Sequence, residues 1–153
     1  LKRTGFKGKK TTERMNRLEK LNLETAKKLI DSAEKEAGNI GVQMVISIID
    51  DGGNLIAAHR MDDAWLASVD IAHNKAWTSV ALKMPTSNLE EATTPNSELW
   101  GLNTTNNGKI VVFGGGIPLE KDGKVVGAVG VSGGAVPQDV QVAEAAVNAF
   151  EKI

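Results

Sequence analysis

Two histidines, a lysine and two glycine clusters are the parts of this 153-residue chain whose types and positions could do chemistry. His59 and His73 are its only imidazoles, and their spacing matches neither HxxxH nor HExxH, so a protein-held metal ion has little support. His73 lies in a helical pattern with Lys75, and Trp77 follows it by one turn. His59 ends a strand pattern next to Arg60. Arg60, His73 and Lys75 are therefore the candidates for general acid–base catalysis on a small metabolite. The plainer readings are a local hydrogen bond for His59 and a packed core or interface position for His73.

Gly114-Gly115-Gly116 and Gly133-Gly134 could offer backbone N–H groups to an anion, the second pair just ahead of a helix. Arg60 and Lys75 would add positive charge, so Arg60, His73, Lys75, Trp77, Gly115, Gly116 and Pro118 form the candidate binding set. Tight turns and close packing explain the same glycines. Asp139, in the first turn of the last helix, suits the helix dipole but would oppose an anion bound there. Gly127-x-x-Gly130-x-x-Gly133 is not a dinucleotide fingerprint and fits a helix approaching a strand closely. Asp50-Asp51 reads as turn chemistry rather than a catalytic carboxylate pair. Ser132 has no histidine and acid in evident range and no nucleophile-elbow context. The chain has no cysteine, hence no thiolate nucleophile or disulfide.

The elements that must position these residues follow from periodicity. Asn22 caps a helix carrying Leu23, Ala26, Ile30, Ala33 and Ala37, which Gly38 and Gly41 stop. Val42 to Ile49 is a strand, Asp50-Asp51-Gly52-Gly53-Asn54 a tight turn, and Leu55 to His59 the returning strand. A second helix over residues 63–83 carries a Val69, Ala72, Ala76, Val80 stripe and ends before Pro85. Residues 86–109 are polar loop and short turns, the kind of long irregular segment that often covers a site. Ile110 to Phe113, Ile117 to Lys121 and Val125 to Val131 are strands, the last two joined by Asp122-Gly123. Pro137 opens a final helix with Val140, Ala143, Val147 and Phe150 in register. The order is α-β-β-α-loop-β-β-β-α. Its two hairpins predict an α+β fold with an antiparallel sheet of about five strands flanked by helices.

Hydrophobic residues at 41% and charged residues at 24% are ordinary globular composition. Residues 1–20 hold eight of the 18 Lys and Arg but two of the 19 Asp and Glu, which reads as a basic N-terminal extension ahead of a single domain over 21–153. No recognition motif or aromatic pattern accompanies those charges, which disfavours nucleic acid. No apolar run approaches the ~20 residues of a membrane span and no signal-peptide core is present, so a cytoplasmic location is the expectation. The last helix is apolar around much of its circumference, which predicts a homo-oligomer.

Asp50-Asp51-Gly52-Gly53, Arg60-Met61-Asp62, Ala72 and Lys75-Ala76 occur in that order. Gly115-Gly116-Ile117-Pro118, Gly127 to Gly133, Asp139 and Val142-Ala143 then follow. This ordered set resembles the GlcG/HbpS family of heme-degrading-domain proteins, and is similar to the C-terminal domain of the corrinoid adenosyltransferase PduO. The resemblance implies a profilin-like three-layer fold, frequent oligomers, and heme or another tetrapyrrole as ligand, with His73 and His59 the axial candidates. The leading expectation is a ligand-binding accessory protein, with a small organic acid the next ligand. Alternatives are an enzyme acting on a small hydroxy-acid or diol-derived metabolite, and a structural assembly protein with Trp65, Trp77 and Trp100 as interface anchors.

Overall fold

The computed structural model describes residues 21–153, so the expected basic extension over 1–20 lies outside the described residues. They form α1 (Leu23–Ile40), β1 (Val45–Asp50), β2 (Leu55–Arg60) and α2 (Ala67–Leu82). Short 3-10 turns between Thr86 and Gly108 follow, then β3 (Gly116–Lys121), β4 (Lys124–Ser132) and α3 (Val136–Glu151). Asn22 caps α1 as its sequence position requires, its Oδ1 accepting from the Thr25 N–H at 2.8 Å. Gly41 closes the helix in the left-handed region at φ 70°, while Gly38 sits inside the helix rather than stopping it.

The strands pair antiparallel in the order β2-β1-β4-β3. Asp50 organises the first hairpin, its Oδ1 accepting from the Gly52 and Asn54 N–H groups, both at 2.9 Å. Asp122 and Gly123 turn the second at φ 52° and 74°, the two positive angles that match strand twist. The sheet has four strands where about five were expected: Ile110 to Phe113 is not a strand. Side chains hold this segment and its exit instead: the Val111 N–H goes to Thr78 Oγ1 at 3.0 Å, and the N–H of Gly114, just past it, to Glu90 Oε1 at 2.8 Å.

The layers are α1 and α3, then the sheet, then α2 with the 3-10 segment. Alternation along the strands sends Ile46, Ile48, Leu119, Val129 and Val131 into the main core beneath α1 and α3. Val45, Ile49 and Ala128 face α2, where Ala72 and Ala76 meet them. α2 rests almost backbone to backbone on the sheet: a Cβ at Gly130 would run into the Ala72 carbonyl, and one at Gly116 into the Lys75 carbonyl. The close approach expected of the glycine series is thus made at Gly130, whereas Gly127 and Gly133 clear the Ile49 and Gln43 carbonyls instead.

Two faces differ from expectation. The buried face of α2 is Ser68, Ala72, Lys75, Ala76, Thr78 and Ser79, rotated away from the apolar stripe and leaving Val69 exposed. Over Gly130 contact this close admits only small side chains, here Ala72 and Ala76. On α3 the apolar circumference is used within the chain: it packs on the sheet and α1, and Val136 and Val140 close over Gly114. The large exposed apolar side chains are elsewhere, including Trp65, Leu66, Val69, Leu99 and Trp100. Among the described residues no helix is long and apolar enough to cross a membrane.

Candidate functional site

α2 carries both groups of candidate residues and separates them. At about 100° per residue, Leu66, Val69, His73 and Trp77 lie on one flank and Lys75 and Thr78 on the other. Trp77 lies against Gly53 in the β1–β2 turn, so its flank faces the β2 edge of the sheet. Lys75 lies against Gly115 and Gly116, so its flank faces the β3 edge. Pro118 is buried on the α2-facing side of β3. The set of seven therefore divides: Lys75, Gly115, Gly116 and Pro118 at one edge, His73, Trp77 and Arg60 toward the other.

On the β3 side, Lys75 is 0% exposed. Its Nζ donates to the Val131 carbonyl at 2.8 Å and to Asp139 Oδ2 at 2.7 Å, and lies 4.9 Å from the centroid of the Phe113 ring. Asp139 Oδ1 accepts from the Gly134 N–H at 2.9 Å. Burial pushes the Lys75 pKa down against the opposing pull of Asp139 and the Glu90 charge. Burial likewise pushes the Asp139 carboxyl up, opposed by its bonds to Lys75 and the Gly134 backbone. Both shifts move the pair toward its neutral form.

The glycine N–H groups read as an anion cradle are engaged by the chain itself. Gly134 serves Asp139, Gly114 serves Glu90, and the Gly116 N–H goes to Thr86 Oγ1 at 2.9 Å. Two carboxyl groups of the protein sit where a bound organic acid would. Ser132, without a catalytic base, donates to Ser68 Oγ at 3.0 Å.

On the β2 side, His73 is half-buried and makes no side-chain hydrogen bond among the described residues. Val69 and Trp77 stand one turn to each side, with Leu66 beyond Val69, and Lys109 Nζ sits 5.1 Å from the Trp77 ring centroid. α2 covers β1, β4 and β3, leaving the same face of edge strand β2 open. Ala58 and Arg60 are exposed there, paired with the α2-facing Ser47 and Val45. Arg60 Nη1 donates to the Ala64 carbonyl at 3.2 Å. This flank thus combines apolar side chains with an imidazole that has no side-chain hydrogen bond among the described residues.

His59 is on the opposite face, opposite the core residue Ile46. Its Nδ1 donates to Glu34 Oε1 at 2.6 Å, the hydrogen bond expected of a strand-end histidine. A carboxylate so placed can also orient an imidazole for a metal, leaving Nε2 free. Glu34 also lines a cleft with Gln43, Arg60, Met61, Asp62 and Asp63. Among the described residues no group of three His, Cys, Asp or Glu could hold a bare metal ion.

Sequence reasoning missed Asp139 and Glu90 as partners of the Lys75 site, and Phe113 as its cover. The one sequence signal belongs to Asp139, a carboxylate five positions after Gly134 that could bond backbone N–H groups there.

Known proteins agree with this architecture. The family model described as haem degrading protein HbpS-like matches residues 21–148. A 15.0 kDa protein from the dhaT-dhaS intergenic region of Citrobacter freundii is 45% identical over 133 residues, covering 87% of this chain and 94% of that protein. The crystal structure of Klebsiella pneumoniae ORFY superposes with a TM-score of 0.85 at 41% identity, covering 87% of this chain and 92% of that one. A PduOC:heme complex superposes at 0.82 with 39% identity, covering 85% of this chain and 94% of that one.

Proposed function

The chain belongs to the HbpS-like family, and on that premise we propose that it is a ligand-binding accessory protein for heme or another tetrapyrrole, with His73 the axial ligand. The observation that carries this reading is His73 itself: half-buried, without a side-chain partner among the described residues, and set between Val69 and Trp77. A heme site needs an imidazole with a free nitrogen and apolar surface for the macrocycle, and this flank of α2 supplies both. Bound there, heme would bring a redox-active iron to a protein without other redox groups of its own. The PduOC:heme complex supports the same ligand class in a relative. His59 is the weaker candidate because its Nδ1 is engaged by the Glu34 carboxylate, whose charge would oppose the propionates.

The enzyme reading requires Arg60, His73 and Lys75 in one pocket, and α2 divides them between two flanks. A hemin titration of wild type, His73→Ala and His59→Ala, followed by the Soret band, tests the proposal. Saturation near one heme per chain is expected in wild type and His59→Ala, with affinity reduced about tenfold or more in His73→Ala, a loss of at least ~1.4 kcal/mol. Equal binding by wild type and His73→Ala would remove His73 as the ligand. Non-saturating binding by wild type would remove heme.

A further inference from the structure

Lys75 is a buried amine that the heme reading does not use. Its surroundings differ from those of a simple structural ion pair in two respects. First, the ring over Nζ is that of Phe113, which is itself 39% exposed. Second, the ring is carried on an irregular segment immediately before Gly114-Gly115-Gly116. Gly115, at φ +126°, holds a conformation that other residues rarely adopt, and a Cβ there would sit 2.7 Å from Nζ. The backbone at Gly115 is thus shaped around the amine.

We propose that Phe113 is a lid and that Lys75 beneath it is a reactive amine that condenses with a small neutral aldehyde, Asp139 shuttling the proton. The chemistry follows from the contacts. The Lys75 amine attacks the carbonyl carbon, forming a C–N bond while the carbonyl π electrons move to oxygen. Asp139, 2.7 Å away and carrying the proton in the neutral pair, gives that proton to the oxygen and forms the carbinolamine hydroxyl; its carboxylate then takes one nitrogen proton and passes it to the hydroxyl. The hydroxyl departs as water and leaves a protonated imine paired with the Asp139 carboxylate. A desolvated lysine beside an acid has the protonation states this needs, and burial moves both groups toward them. The class of partner is set by charge. Asp139 and Glu90 both face the amine, so a carboxylate-bearing carbonyl compound would be repelled where a neutral one is not.

The test is reductive trapping: intact protein is incubated with propionaldehyde and sodium cyanoborohydride near neutral pH, and each lysine is quantified by peptide mass spectrometry. Exposed Lys27, Lys28 and Lys35 give the baseline. Lys75 is expected to be alkylated faster than these, because burial lowers its pKa and so raises the free-amine fraction. Phe113→Ala is expected to raise the Lys75 rate further while leaving the baseline unchanged. Lys75→Arg, which keeps a cation beside Asp139, controls for folding and removes the selective adduct. Alkylation of wild-type Lys75 at or below the rate of the exposed lysines overturns the proposal, whatever Phe113→Ala does. The heme titration is independent of either result.

Discussion

At the scale of the residue, Lys75 and Asp139 are the strongest commitment in the chain. Neither charge is solvated, so removing one partner leaves the other buried and uncompensated. Asp139→Ala is expected to lower unfolding free energy in urea by about 3–5 kcal/mol, and the paired change Lys75→Met with Asp139→Leu by distinctly less. Protonation gives a second check. The Asp139 pKa is raised above its ordinary 3.8, so just above that value the folded chain holds a proton that the unfolded chain has lost. Stability therefore falls as pH rises through that window. The Lys75 pKa is lowered below 10.5, so beneath that value the unfolded chain holds the extra proton and stability rises with pH. Relative to the paired variant, wild type should show a shallow stability minimum between the two windows, measured by urea denaturation across pH. The Lys75–Asp139 contact was not legible from spacing, because 64 positions separate the two and each was read alone, one as a catalytic cation and one as a helix-dipole residue. His59 was legible as a strand-end hydrogen bonder, although its partner Glu34 on α1 was not.

At the scale of the element, local chemistry settled what it could reach. Asn22, the Asp50 turn and Asp122-Gly123 each carry their own hydrogen bonds or backbone angles, so the first helix and both hairpins were readable from the sequence. Residues 110–113 were misread as a strand because three β-branched residues specify an extended chain but not a neighbour, and Thr78 takes the Val111 donor. The buried face of α2 was misjudged for a related reason: hydrophobic periodicity assumes side-chain packing, and here backbone contact at Gly130 decides. Gly130→Ala is accordingly expected to destabilise by about 1–3 kcal/mol, because the methyl meets the Ala72 carbonyl and the backbone must shift. Gly38→Ala is expected to do the reverse, stabilising by about 0.5–1 kcal/mol, since it lies inside α1 with nothing within 4 Å of a new Cβ. Thermal or urea unfolding of the two variants checks both signs.

At the scale of the whole molecule, the three layers place the two histidines on opposite faces of one sheet and divide the candidate residues between its edges. Fold class was legible because antiparallel hairpins and amphipathic helices leave few layer arrangements. The division of the site was not, because it depends on which way α2 is rotated over the sheet. Self-association is a proposal that rests on Trp65 and Leu66, 67% and 84% exposed beside Val69 at the start of α2. Leu66→Glu is expected to reduce the mass measured by light scattering after gel filtration, without unfolding the chain. Because Leu66 lies on the His73 flank, the same variant should weaken heme binding if a second copy completes that site. The most direct test of the central claim is a crystal structure of the heme-loaded protein, with the iron located by anomalous scattering. The account predicts iron bound by the His73 imidazole, on the α2 side of the sheet. Iron on the opposite face at His59, or iron without a histidine ligand, would contradict it.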